Sequence, residues 1–224
     1  MEVYATIKNR SGFPWVPYRV KGSASVRVLP RNWKLLVENA LEAYHTGTVH
    51  RATVGAQREA IIQTRGDWVC LQVLSDTSVA VLAERPPFPA IEGLTDEANR
   101  GTYFTMIMPA TQFACAQDSM WWLAMRAIAP ARTILSLGGC FPKSTVALPD
   151  FATNAALYYE RWKRVAEEDV GMLEMQQGGL ASSFYRPGRL SWRDELVHRV
   201  NRWLLERIPE TDLNDVLGAG KPSI

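Results

Sequence analysis

Histidine and cysteine are both scarce in this chain, three of each in 224 residues. It also has no Pro-, Gly- or Ser-rich linker, no low-complexity tract, no internal repeat and no long unbroken apolar run. Each absence excludes something. Without a linker, and at a length ample for one domain but marginal for two, residues 1–224 read as a single domain. The charge balance, 25 Lys and Arg against 23 Asp and Glu, offers no clustered basic surface for a nucleic acid. The most hydrophobic stretch, "MWWLAMRAIAPARTILSLGGCF", is interrupted by Arg126, Pro130 and Arg132, so no membrane span is expected. The N-terminal "MEVYATIKNRSG" lacks the apolar core of a secretory signal. Cys70, Cys115 and Cys140 are odd in number, far apart and set in strand-like runs. They read as buried free thiols in a reducing cytoplasm.

What is present has an α+β order. "YRVKGSASVRVLP" alternates like a strand and halts at Pro30. From Asn32 the period changes, with Trp33, Val37, Ala40, Leu41 and Tyr44 recurring at helical spacing over about three turns. Strand-like runs come next: "DWVCLQVLS", "TSVAVLAE", "GTYFTMIMPATQFACAQ", "SMWWLAMRAIAPA" and "RTILSLGGCF". Each is bounded by Gly, Pro, Asp or Ser, which predicts an antiparallel sheet joined by hairpins. A helix is expected from about Asn154 to Gln177, ending at Gly178–Gly179, with Tyr158, Trp162, Val165, Met172, Leu173 and Gln176 facing inward. A last helix comes after "RPGRLS", capped by Ser191 and Asp194, with Trp192, Leu196, Val200, Trp203 and Leu204 as its buried stripe. Long helices packed on one face of such a sheet would enclose a pocket.

Three residues attract attention within this frame. Asp169 lies on the apolar stripe of the penultimate helix, four after Val165 and four before Leu173, while Glu167 and Glu168 point elsewhere. A carboxylate there needs neutralising, by a buried Arg or Lys or by a metal. His45 and His50 share "ENALEAYHTGTVH". In a straight helix, at about 100° per residue, they would splay apart. They could meet at one ion if the helix ended between them, at Gly47. Otherwise one packs on the core and the other is solvated. His198, beside Asp194, Asn201 and Arg202, reads as surface. Two imidazoles and one carboxylate form the facial triad of non-haem Fe(II) oxygenases, and His45, His50 and Asp169 offer that set.

"NWKLLVENALEAYHTGTVH" closely resembles the iron-site segment of Rieske-type aromatic-ring-hydroxylating oxygenases, in the catalytic domain of their large (α) subunit. Asn32, Trp33, Lys34, Glu38, Asn39, Glu42, Tyr44, His45 and His50 fit that pattern. "EEDVGMLEMQQGGLASSFYRPGRLSWRDELVHRVNRW" resembles the family's C-terminal signature, in which the residue matching Asp169 is the third iron ligand. The likeness spans about residues 20–208. It implies a helix-grip (START-like) domain with one mononuclear Fe(II) and O2-dependent mono- or dioxygenation of an aromatic or similar small organic substrate. It further implies that Glu42 bridges electrons from a neighbouring subunit's Rieske cluster, within a homotrimer or an α3β3 assembly fed by a reductase or ferredoxin. Glu42 and His45, three apart, could share a helix face as that role requires. Many aromatic dioxygenases have Asp where this chain has Glu42, and some alkylammonium monooxygenases have Glu. The paired Cys-x-His and Cys-x2-His motifs of a [2Fe-2S] Rieske cluster do not occur here, so the cluster is expected from elsewhere, the N-terminal domain being truncated, mis-started or a separate polypeptide.

Asn39 is expected beside the metal. Met106, Met108, Phe113, Trp121, Leu123 and Leu173 are candidate apolar walls, or plain core. No Arg or Lys falls in that set, which predicts a flat, largely uncharged ligand. An alkylammonium substrate would instead use an aromatic face such as Trp121 or Trp122. The rival reading from another class is a non-catalytic helix-grip protein binding an apolar ligand in the same pocket.

Overall fold

The computed structural model describes residues 18–19, 25–62 and 66–209. The signal-peptide reading at the N-terminus, and residues 20–24 of the first expected strand, lie outside the described residues. Eight strands form one antiparallel sheet: β1 (Tyr18–Arg19), β2 (Ser25–Leu29), β3 (Arg58–Ile62), β4 (Trp68–Leu74), β5 (Gly101–Ile107), β6 (Thr111–Cys115), β7 (Met120–Ala129) and β8 (Arg132–Pro142). Their order is β1-β8-β7-β6-β5-β4-β3, with β2 also paired to β8. Five α-helices occur among the described residues: α1 (Trp33–Asn39), α2 (Thr46–Val49), α3 (Lys143–Val146), α4 (Phe151–Leu180) and α5 (Glu195–Leu205). No helix among the described residues is long and apolar enough to cross a membrane.

Pairing register determines which side chains share a face. Leu71, Phe104, Ala114, Trp121 and Gly139 lie opposite one another across β4 to β8, and Val69, Met106, Gln112, Leu123 and Leu137 form the next row. This is the face that α4 covers. The approach is close: a Cβ on Gly139 would fall 1.9 Å from the Trp162 ring, so glycine is required there. Trp162 in turn stacks on Trp121 at 5.7 Å.

Two cores result. One joins Leu35, Leu36 and Val37 of α1 and Leu196, Val197 and Val200 of α5 to Val69, Leu71, Val73 and Leu173. The other joins Phe151, Ala155, Tyr158 and Trp162 of α4 to Trp121, Leu137 and Phe141.

Several expected elements differ. "TSVAVLAE" is not a strand. The Ser78 hydroxyl donates to Asp118 at 2.7 Å, and Ala80, Val81 and Phe88 pack under α4 as loop residues instead of pairing. The iron-motif helix ends at Asn39, earlier than its apolar spacing suggests, with Gln112 Nε2 donating to the Ala40 carbonyl at 2.7 Å. α4 passes through Gly178 and Gly179 before ending at Leu180, and Gln176 on it is exposed. The Ser191–Asp194 capping box forms, but Trp192 is 83% exposed and Val197 takes a place on the buried stripe. The Cys70 and Cys140 residues are buried, and Cys115 keeps its thiol enclosed although the residue is part-exposed. Burial pushes the Cys70 and Cys115 thiols up to about 12 and raises Cys140 as well.

Candidate metal centre and adjoining cavity

α2 is a single helical turn, and the two histidines are its ends. His45 is the N-cap and His50 the C-cap, so they flank the turn rather than lie along one helix. Gly47 sits inside α2, where a Cβ would meet that of Ala56 at 3.3 Å; its smallness serves packing, not helix termination. The rings come together edge to face, with centroids 5.1 Å apart. Asp169 of α4 arrives from the other side, its Oδ1 3.1 Å from His50 Nε2 and 3.6 Å from His45 Nε2. One ligand atom from each of the three residues lies within 4.8 Å of the others.

The opposite nitrogen of each histidine is held by a carboxylate. His45 Nδ1 makes a short hydrogen bond to Glu42, whose other oxygen accepts the His45 backbone N–H at 3.1 Å. His50 Nδ1 donates to Glu168 at 2.8 Å, and the Thr53 hydroxyl donates to the same oxygen at 2.8 Å. With both Nδ1–H groups donated, both Nε2 lone pairs are free to face Asp169. Burial opposes a charge on His50, but Asp169 and then Glu168 outweigh it and raise its pKa. Asp169 Oδ1 is buried and has no hydrogen-bond partner among the described residues. Two presented imidazole nitrogens and an orphaned carboxylate oxygen are the donor set of a mononuclear facial-triad site. The residues fit the metal.

A cavity of about 130 Å³ adjoins the cluster, between the two cores. For comparison, an apolar cavity of about 150 Å³ holds one benzene. Trp121 and Leu123 form part of its wall, as do Leu71, Phe104 and Val165, and Asn39 and Glu42 also border it. The other four expected wall residues lie elsewhere. Phe113 pairs with Thr105 and Trp122 on the opposite sheet face. Met108 lies beyond the end of β5, and Met106 and Leu173 are fully buried in the α1–α5 core.

Two residues escaped the sequence reading. Glu168, expected to point away from the apolar stripe, holds His50. Arg161 lines the cavity, contrary to the expectation of a wall without cations. It is 6% exposed, sits over the Trp121 ring at 4.9 Å, and has no hydrogen bond or ion pair among the described residues. Continuing the count Asp169, Val165 back by four would have reached it.

An antiparallel sheet gripped by a long helix, with two histidines and one aspartate converging beside a cavity, defines a helix-grip domain. The chain belongs to the ring-hydroxylating alpha subunit family, its catalytic domain matching residues 16–210. Among solved structures it is similar to naphthalene 1,2-dioxygenase from Rhodococcus sp. bound to indole, with a TM-score of 0.56, 15% identity, and coverage of 79% of this chain and 48% of that one. It is similar also to dicamba monooxygenase bound to dicamba, with a TM-score of 0.54, 15% identity, and coverage of 91% and 60%. The quaternary ammonium Rieske monooxygenase CntA in complex with L-carnitine matches with a TM-score of 0.53, 20% identity, and coverage of 75% and 41%. The chain thus spans 41% to 60% of these three proteins. No curated protein matches by sequence.

Proposed function

We propose that this domain holds one Fe(II) through His45, His50 and Asp169 and hydroxylates an aromatic or similar small organic substrate with O2. The observation that carries the reading is the convergence of these three donors, with Asp169 Oδ1 buried and unsatisfied. A metal held there would supply the activation of dioxygen. The chain's own residues do the rest. Glu42 and Glu168 hold the Nδ1 protons, so that each ring stays in the ligating tautomer. Asp169 contributes negative charge, and the apolar walls seat the substrate and keep water out. Glu42 is assigned the electron-entry role. It is buried against His45 and is the residue through which a Rieske domain outside this sequence would connect, in a homotrimer or α3β3 assembly.

Anaerobic titration, with bound iron measured after gel filtration, tests the metal site. About one Fe(II) per chain is expected from a facial triad. His45→Ala, His50→Ala and Asp169→Ala should each abolish tight uptake while the fold persists by circular dichroism. Undiminished uptake by the Asp169 variant would remove it from the ligand set. No uptake by the unaltered chain would leave a ligand-binding helix-grip domain without chemistry.

A further inference from the structure

We propose that the molecule bound in this cavity carries a carboxylate and that Arg161 receives it, at the end of the cavity away from the histidines. The inference rests on the cavity being the substrate site of the proposed oxygenase. Among the described residues two arginines are buried, and they differ in their partners. Arg31, fully buried, is matched: its guanidinium donates to the Val170 carbonyl and pairs with Glu174. Arg161 is almost as buried. The Nε of both arginines is enclosed without an acceptor, but Arg31 has partners for its terminal nitrogens and, among the described residues, Arg161 has none. A buried cation left so is costly, and the cost is relieved when an anion enters.

The neighbouring carboxylates are committed elsewhere. Glu168 accepts from His50 and Thr53, and Asp169 faces the two Nε2 atoms. A metal held by Asp169 would further spend the charge that now acts on Arg161 from a distance. Burial brings the Arg161 pKa down, Asp169 and Glu168 oppose it, and the result is about 10, so the group stays cationic at neutral pH.

Geometry narrows the ligand. A guanidinium over an indole is held in place, and its planar donor edge matches a carboxylate in two parallel hydrogen bonds. Arg161 and Asp169 border the cavity eight residues apart on α4, about 12 Å of helix rise. The anion is therefore fixed at one end and the carbon to be oxidised lies towards the other. The cavity volume suits a single ring. A quaternary ammonium seated on Trp121 would meet Arg161 already over that ring, cation against cation.

Calorimetric titration of the full chain, Fe(II)-loaded and metal-free, with benzoate and with its neutral isostere benzamide, tests this. Benzoate should bind about tenfold more tightly or better, the scale of a charge-assisted hydrogen bond. Arg161→Met should abolish the preference with iron uptake unchanged, and Arg161→Lys should keep part of it. Equal affinities in the unaltered protein, or no benzoate binding at millimolar concentration, would overturn the proposal. So would a preference surviving in Arg161→Met, as when a carboxylate ligates the metal directly. If Arg161→Met does not fold, the comparison in the unaltered protein and the Lys variant decides. Iron uptake by the same samples reports on the oxygenase reading separately: benzoate preference without iron would sink that reading and leave the anion site standing.

Discussion

Glu168 stands one residue from Asp169, about 100° round the helix, yet both reach the histidines. The long side chain closes the angle, and a count of helical faces that assigns each residue one direction cannot register it. Asp169 was legible because its carboxylate interrupts an apolar stripe, and His45 and His50 because of their spacing within a wider motif. Arg161 lies on the same stripe, eight residues before Asp169, where a guanidinium interrupts the apolar face in the same way. Glu42 and Glu168 now make symmetrical contacts, one on each histidine, and their proposed roles separate them. Glu42→Gln should retain iron and fold, since an amide oxygen can still accept from Nδ1, but should block turnover driven by a Rieske partner and reductase. Glu168→Gln should keep iron and reductase-driven turnover within a few-fold of the unaltered enzyme. Glu168→Ala should weaken iron binding by roughly tenfold to a hundredfold, the usual effect of removing a carboxylate behind a ligating histidine. Unchanged reductase-driven turnover in Glu42→Gln would remove its electron-entry role.

Element boundaries were harder to read than element types, for identifiable reasons. The apolar spacing from Trp33 to Tyr44 is helical throughout, yet α1 stops at Asn39 because side chains from the sheet cap the backbone just beyond it: Gln112 at the Ala40 carbonyl and Glu59 at the Ala43 N–H, 2.7 Å each. Those partners are distant in sequence, so no local pattern contains them. The break matters, since an unbroken helix would carry His45 and His50 to different faces. The pairing register of β5 to β7 assigns Trp121 and Leu123 to one face and Phe113 to the other. The Gly138–Gly139 pair in β8 reads locally as a weak point in a strand, and packing explains it: Trp122 covers one face and Trp162 the other. Gly139→Ala should therefore force α4 away from the sheet. A cost of about 1–3 kcal/mol is expected for such overpacking, which for a domain of this size lowers Tm by roughly 2–12 °C. Gly171→Ala, with nothing within 4 Å of the added carbon, is the matched control and should be neutral or mildly stabilising. An equal effect of both substitutions would show that the Trp162 contact does not limit the spacing between helix and sheet.

At the scale of the whole molecule, one helix joins what the chain separates. α4 belongs to both helix-covered cores, carries Asp169 to a pair of histidines more than a hundred residues upstream, and lines the cavity with Arg161 and Val165. The fold thus brings a candidate set of three metal ligands, a cavity with largely apolar walls and a buried arginine together along one helix. Its cysteines are enclosed in strands, with thiols raised by burial, and none stands in a Cys-x-His or Cys-x2-His pair. Thiols in that state neither ligate iron nor react readily, since the thiolate is the active form. The 224-residue chain alone, loaded with Fe(II), should accordingly show no Rieske-type visible absorption and no NAD(P)H-coupled oxidation with a reductase as sole partner. Adding a Rieske domain, fused upstream or in trans, should restore coupled turnover, and Glu42→Gln should cancel the restoration. Sustained reductase-dependent oxidation by the chain without any such domain would mean that electrons reach His45, His50 and Asp169 by a path that bypasses Glu42, and the electron-entry role would then have to be reassigned.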